Sequence, residues 1–209
     1  MIIARHGPAA IPRSGRARAS AGGVAQNYRV PLLAGRLRNS KAVEVEAMNI
    51  AILGWGSLIK NPGGMLIEAE WQSDGPILRI EFSRISADGR LTLVIDSQHG
   101  TDVKTMYVKS GRTQIDDAVC DLMIRERTSR NTIGICSKQN TANNNPPSIR
   151  QWLDRHDFDA VIWTNLESNF QKKQEVDFSV ENALCYLESL PPVCKENARA
   201  YISNAPQPT

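Results

Sequence analysis

Two features of the chain could do chemistry together. The first is Gly54-Trp55-Gly56-Ser57, which follows the apolar run Ile50-Ala51-Ile52-Leu53. Two glycines let the backbone bend sharply, so that successive N–H groups can converge on one concavity. Such a nest binds carboxylate or phosphate. The second feature is Glu126, at the end of a helical pattern. Ile115, Ala118, Val119, Leu122 and Met123 recur at the spacing of one helix face. At about 100° per residue, Glu126 falls on that same face. A carboxylate continuing a core-facing line is either a general base with a raised pKa, or a solvated helix-end residue paired with Arg125, Arg127 or Arg130. Its position alone leaves both open.

Placing these groups takes a strand before the glycine turn and a helix ending near residue 126. Residues 50–53 read as a buried strand. Lys60-Asn61-Pro62-Gly63-Gly64 then stops any helix from developing. This separates the turn from a dinucleotide-binding fingerprint, which needs a third glycine and an immediate long helix. Ile59 stands at the third-glycine position. A nucleotide site of that kind would also need a parallel sheet.

Short β-like runs come next. Trp71 precedes a turn at residues 73–76, and Leu78, Ile80 and Phe82 alternate onto one face. Asp88-Gly89 signals a hairpin into residues 91–95, and His99-Gly100 turns into a single run over 103–108. Strands this close in sequence imply an antiparallel sheet or small barrel. Thr113 is the expected cap of the following helix, with Asp116 and Asp117 in its first turn. Residues 132–136 read as a strand, 140–145 as an asparagine-rich loop and 160–164 as a strong strand. Pro147 or Ser148 starts a helix with Ile149, Trp152 and Leu153 inward. Residues 171–175 read as a solvated loop. Ser179 caps a helix through Leu184, Leu187 and Leu190. Pro191-Pro192 opens the last helix, which carries Val193, Ala198, Tyr201 and Ile202.

The net charge of +3 is unevenly spread. Residues 1–48 hold eight Lys/Arg and two Asp/Glu, a net of +6, which leaves −3 over residues 49–209. The basic face that a nucleic-acid partner requires is therefore not in the folded part. No apolar run is long enough to cross a bilayer, so a soluble, cytoplasmic protein with no membrane partner is expected. Residues 1–47 lack hydrophobic periodicity and are rich in Arg, Ala, Ser, Gly and Pro. They read as a disordered extension, or as upstream sequence translated from an early start codon. Met48 would then begin a single domain over 48–204, with a frayed tail over 205–209. An acid-poor leader also fits an organelle transit peptide, but no long amphipathic helix can be drawn through it. Cys120, Cys136, Cys185 and Cys194 form no C-x-x-C pair, and there are only three histidines. Buried thiols in a reducing cytosol are expected, and no metal site.

One ordered series of motifs goes further. It runs Gly54-Trp55-Gly56-Ser57-Leu58-Ile59-Lys60 with Pro62, then Phe82-Ser83-Arg84-Ile85-Ser86, then Gly89-Arg90-Leu91-Thr92-Leu93-Val94. Residues 103–108 follow more loosely, and Leu122-Met123-Ile124-Arg125-Glu126 ends it. In this order the series resembles the γ-glutamylcyclotransferase superfamily, and most of all its ChaC-like, glutathione-degrading branch. Trp55 stands where that branch has tyrosine, Lys60 where it has tryptophan, and residues 127–131 replace a glycine-tyrosine element.

The resemblance implies an α+β fold, a small mixed β-barrel with surrounding helices. It implies that the loop from Gly54 through Trp55, Gly56, Ser57, Leu58 and Ile59 to Lys60 binds the substrate, its amides holding the α-carboxylate of a γ-glutamyl group. Glu126 would take a proton from the α-amine, which then attacks the γ-carbonyl and closes 5-oxoproline, with no cofactor. Arg84 is a candidate for meeting a substrate carboxylate. The alternative keeps the fold without the reaction, as a non-catalytic small-molecule binding or scaffold domain. The region after about residue 140 has no counterpart in that branch. It reads as core-completing elements, with a lid or a homo-oligomer contact as alternatives.

Overall fold

The computed structural model describes residues 46–140, 145–203 and 205. The expectations for residues 1–45, for the middle of the asparagine-rich loop and for the end of the tail lie outside the described residues. In chain order the elements are β1 (Ile50–Gly54), α1 (Ser57–Lys60), β2 (Ile77–Ile85), β3 (Leu91–Ile95), β4 (Thr101–Lys104), β5 (Met106–Lys109) and α2 (Ile115–Glu126). A short 3₁₀ turn (Arg130–Thr132) leads to β6 (Ile133–Ser137), α3 (Pro147–Asp154), β7 (Ala160–Thr164), α4 (Phe170–Gln174), α5 (Val180–Ser189) and α6 (Pro192–Ser203).

β1 and β7 are the most apolar strands, and they pair in parallel, Ile50 with Ala160 and Ile52 with Ile162. Antiparallel β5 and β6 flank them in the order β5-β1-β7-β6. Every residue of β1 is buried, because both faces of this sheet are covered. On one face Ile50, Ile52 and Ile162 pack on Ala118, Val119 and Leu122 of α2. On the other, Ala51, Leu53, Val161 and Trp163 meet Ile149, Trp152 and Leu153 of α3 and Leu78, Ile80 and Val103 of a second sheet. That sheet is antiparallel, in the order β3-β2-β4. A third cluster forms where Phe170 of α4 and Ala183 of α5 cover Ile85 and Leu91. The fold is thus α+β, as expected, but its described strands form two sheets and no closed barrel.

Four local expectations need correction. Residues 103–108 are two strands in different sheets, not one. The chain crosses between sheets at Thr105, which is buried and fastened to the preceding turn: its hydroxyl donates to the Pro76 carbonyl at 2.7 Å. Thr113 does not cap α2. Gln114 holds that position without a side-chain bond, while the Thr113 carbonyl accepts from the Met48 amide at 3.0 Å. Residues 171–174 belong to helix α4, because Phe170 is fully buried and anchors the turn. Of the four cysteines only Cys136 is buried; Cys120 and Cys185 are exposed and Cys194 is half-buried, all as free thiols. No helix among the described residues is long and apolar enough to cross a membrane.

Candidate active site

The C-terminal ends of β1 and β7 open onto a cavity of about 530 Å³. Ligands commonly bind outside the carboxyl ends of parallel strands. β1 brings Leu53, Gly54 and Trp55 to this cavity, α1 brings Ser57 and Leu58, and β7 brings Thr164. The end of α2 contributes Arg125, Glu126 and Arg127. The β2–β3 hairpin contributes Arg84, Asp88 and Arg90, and α6 contributes Tyr201.

The glycine turn has its sequence for steric reasons. Gly56 adopts φ 73° and ψ −134°, a conformation that essentially only glycine holds. A Cβ on Gly54 would lie 2.5 Å from the Trp71 ring, so the indole packs directly on the backbone there. Trp55 is buried and its Nε1 donates to the Leu93 carbonyl at 3.3 Å, which ties the turn to β3.

Arg84 reaches the cavity through a β-bulge. The register of β2 against β3 shifts between Glu81 and Arg84, so Leu78 and Ile80 face inward before the shift, and Ser83 and Ile85 after it. Without the extra residue the alternation would point Arg84 into the core. Its Nη1 donates to the Glu167 carbonyl at 2.7 Å.

Glu126 is half-buried at the last turn of α2, its side chain 18% exposed. Burial pushes its carboxyl above the usual carboxylate range, against the opposing pull of Arg125. Arg125 Nη1 donates to Glu126 Oε1 at 2.8 Å. The same guanidinium reaches the loop after β1, with Nε and Nη2 donating to the Asn61 carbonyl at 3.0 and 2.9 Å and Nη2 to Ser57 Oγ at 3.3 Å. One side chain therefore fixes the distance between the glycine turn and the carboxylate. The Thr164 hydroxyl also faces Glu126 and favours its charged form, though it lacks a well-formed hydrogen bond to it.

Of the residues singled out from the sequence, Gly54, Trp55, Ser57, Leu58, Arg84 and Glu126 share this cavity. Gly56 and Lys60 instead line an adjoining one, together with Ser57, and Ile59 lines neither. The reason is that α1 is a single turn. Residues 57–60 point around a full circle and cannot all face one ligand. Sequence reasoning did not assign site roles to Arg90, Arg125, Arg127 or Tyr201. For Arg125 the adjacency to Glu126 was a usable signal. Tyr201 lies 75 residues beyond Glu126, and nothing local links them.

Four guanidinium groups (Arg84, Arg90, Arg125, Arg127) surround the cavity against two carboxylates (Asp88, Glu126). The excess of positive charge favours an anionic ligand. A short helix following a glycine turn also leaves its first N–H groups without intrahelical partners. α1 is too short, and β1 has too mixed a neighbourhood, for a dinucleotide fold: β1 pairs antiparallel with β5 and parallel with β7. Comparison of the chain with protein-family models, with curated proteins and with solved structures finds no match.

Proposed function

We propose that the protein is a γ-glutamylcyclotransferase-like enzyme that releases 5-oxoproline from a γ-glutamyl amine or peptide. The observation that carries this reading is the joint placement of Glu126 with Gly54, Trp55 and Ser57 of the glycine turn on one cationic cavity, bridged by Arg125. The turn and the guanidinium groups suit the α-carboxylate of a γ-glutamyl unit. Glu126 then stands near the α-amine. Its carboxylate accepts a proton from the α-ammonium, and the freed nitrogen attacks the γ-carbonyl carbon to form the ring C–N bond. Collapse of the tetrahedral adduct breaks the original C–N bond. The departing amine receives both the proton held by Glu126 and the one that the ring nitrogen sheds on becoming an amide, so it leaves as an ammonium ion and the carboxylate is regenerated. Atoms and protons balance without a further reactant. Nucleophile and electrophile belong to one molecule, so the enzyme's work is orientation and proton transfer.

The ion pair with Arg125 also supports a second reading, in which the cavity binds a small anionic molecule without converting it. Incubation with a panel of γ-glutamyl amines and peptides separates the two. The enzyme reading expects 5-oxoproline from at least one member, and a loss of roughly 10²–10⁴-fold in kcat for Glu126→Gln. Undiminished turnover in that variant would refute the assigned base. Ligand binding with no 5-oxoproline from any member would favour the binding domain.

A further inference from the structure

We infer that α6 builds a second chamber of this site, which receives the leaving group of the substrate, with Tyr201 as the threshold between the chambers. This rests on the reaction proposed above. The adjoining cavity measures about 490 Å³, and its walls include Gly56, Asn61 and, from α6, Asn197 and Ala200. It shares Ser57, Asp88, Arg90 and Tyr201 with the cavity of Glu126, so the two meet along one wall.

Tyr201 is held firmly in that wall. Its phenolic oxygen lies 3.1 Å from where a Cβ on Gly56 would stand, so the glycine turn and the tyrosine are in mutual contact. Its ring meets Phe82 edge-on at 6.2 Å, and the Arg90 guanidinium lies 5.2 Å from the ring centroid. Burial raises the phenol's pKa, which keeps it a neutral hydrogen-bond donor at pH 7.

Ring closure folds the γ-glutamyl unit back on itself, which sends the amide substituent away from the forming ring. With the α-carboxylate at the turn and the α-amine at Glu126, the substituent has the Tyr201 wall to cross. What lies beyond mixes the polar side chains of Lys60, Asn61 and Asn197 with a larger share of apolar surface. The Asn197 side chain is exposed and makes no hydrogen bond with another described side chain or backbone group, and Arg90 is paired with Asp88 at 2.8 Å. The ligand class is an amine-linked group longer than a simple alkylamine, with apolar surface as well as hydrogen-bonding groups of its own. The size of this chamber would set the permitted length of that group.

The test compares γ-glutamyl-methylamide with γ-glutamyl-alanyl-alanine in the full chain, by release of 5-oxoproline. Asn197→Trp and Ala200→Phe each put a ring into the chamber from an exposed face of α6, and thermal unfolding confirms that each variant folds. In either variant kcat/KM for the longer substrate should fall at least about tenfold relative to the methylamide, since small displacements of a bound substrate cost that much or more. An unchanged ratio in both folded variants, with the wild type active, overturns the chamber and leaves the reaction standing. No 5-oxoproline from these two or from any other member of the γ-glutamyl panel with the wild type overturns the reaction, and the chamber with it.

Discussion

Arg125 and Glu126 illustrate why a site residue must be judged with its neighbours. Burial makes the Glu126 carboxylate more basic, and the adjacent guanidinium makes it less so. A general base needs both effects, because it must be ionised at working pH and still attract a proton. The acidic limb of the kcat/KM profile should therefore lie above the ordinary glutamate value of about 4.3. The proposed reaction requires the carboxylate, so its rate should fall as pH drops through that limb. Arg125→Gln keeps a donor toward Asn61 and Ser57 but removes the positive charge, and loss of an opposite charge raises a carboxyl pKa. The limb should move to higher pH. A uniform loss at every pH with the limb unmoved would mean that Arg125 is only a strut. Glu126 was legible in the sequence because helical periodicity extrapolates to it. Arg84 was legible only as a residue type, since its aim depends on a bulge that no alternation reveals.

Elements account for the rest of the site's geometry, and their ends matter most. α2 stops at Arg127, which adopts the left-handed conformation with φ 51° and ψ 48°, its amide donating to the Ile124 carbonyl at 3.3 Å. That conformation costs a side-chain-bearing residue roughly 1–2 kcal/mol. Glycine occupies it without strain, though it also gains freedom in the unfolded chain. Arg127→Gly should therefore stabilise the protein by about 0.5–1 kcal/mol in urea unfolding. A loss of stability would show that the arginine side chain contributes more than its backbone costs. The same change removes one of four guanidinium groups at the cavity, so tighter folding should come with weaker binding of an anionic ligand. Periodicity located the long elements well. It failed at Thr105, because the β-like run continues through residues 103–108 while the chain changes sheets. It failed again at residues 171–174, where the anchor Phe170 precedes a run that is polar and reads as loop.

Over the whole molecule, the site depends on a pairing that no local pattern contains, β1 beside β7 across 110 residues. The apolar runs identified both strands, but only their non-local register brings Gly54 and Thr164 to the same edge. Partnering of this kind also decides between one barrel and two sheets, which the composition of each strand leaves open. The entry to β1 is equally non-local. The Met48 amide donates to the Thr113 carbonyl, the Asn49 amide donates to Asp159 Oδ2 at 2.7 Å, and the Asn49 carbonyl accepts from the Asp159 and Ala160 amides at 2.8 and 3.3 Å. A chain that begins at Met48 keeps all of these bonds, because a terminal amine can still donate to Thr113. It also loses the net +6 of the preceding segment, so the formal charge falls from +3 to −3. Such a chain should unfold at the same temperature as the full one, match it in any release of 5-oxoproline from the proposed substrates, and bind anion- instead of cation-exchange resin near neutral pH. A chain that begins at Ile50 breaks the Asn49 bonds and should lose about 1–3 kcal/mol. Equal stability of the Met48 and Ile50 chains would show that the bonds flanking β1 contribute nothing. Unfolding of the Met48 chain would show that the fold requires residues before it.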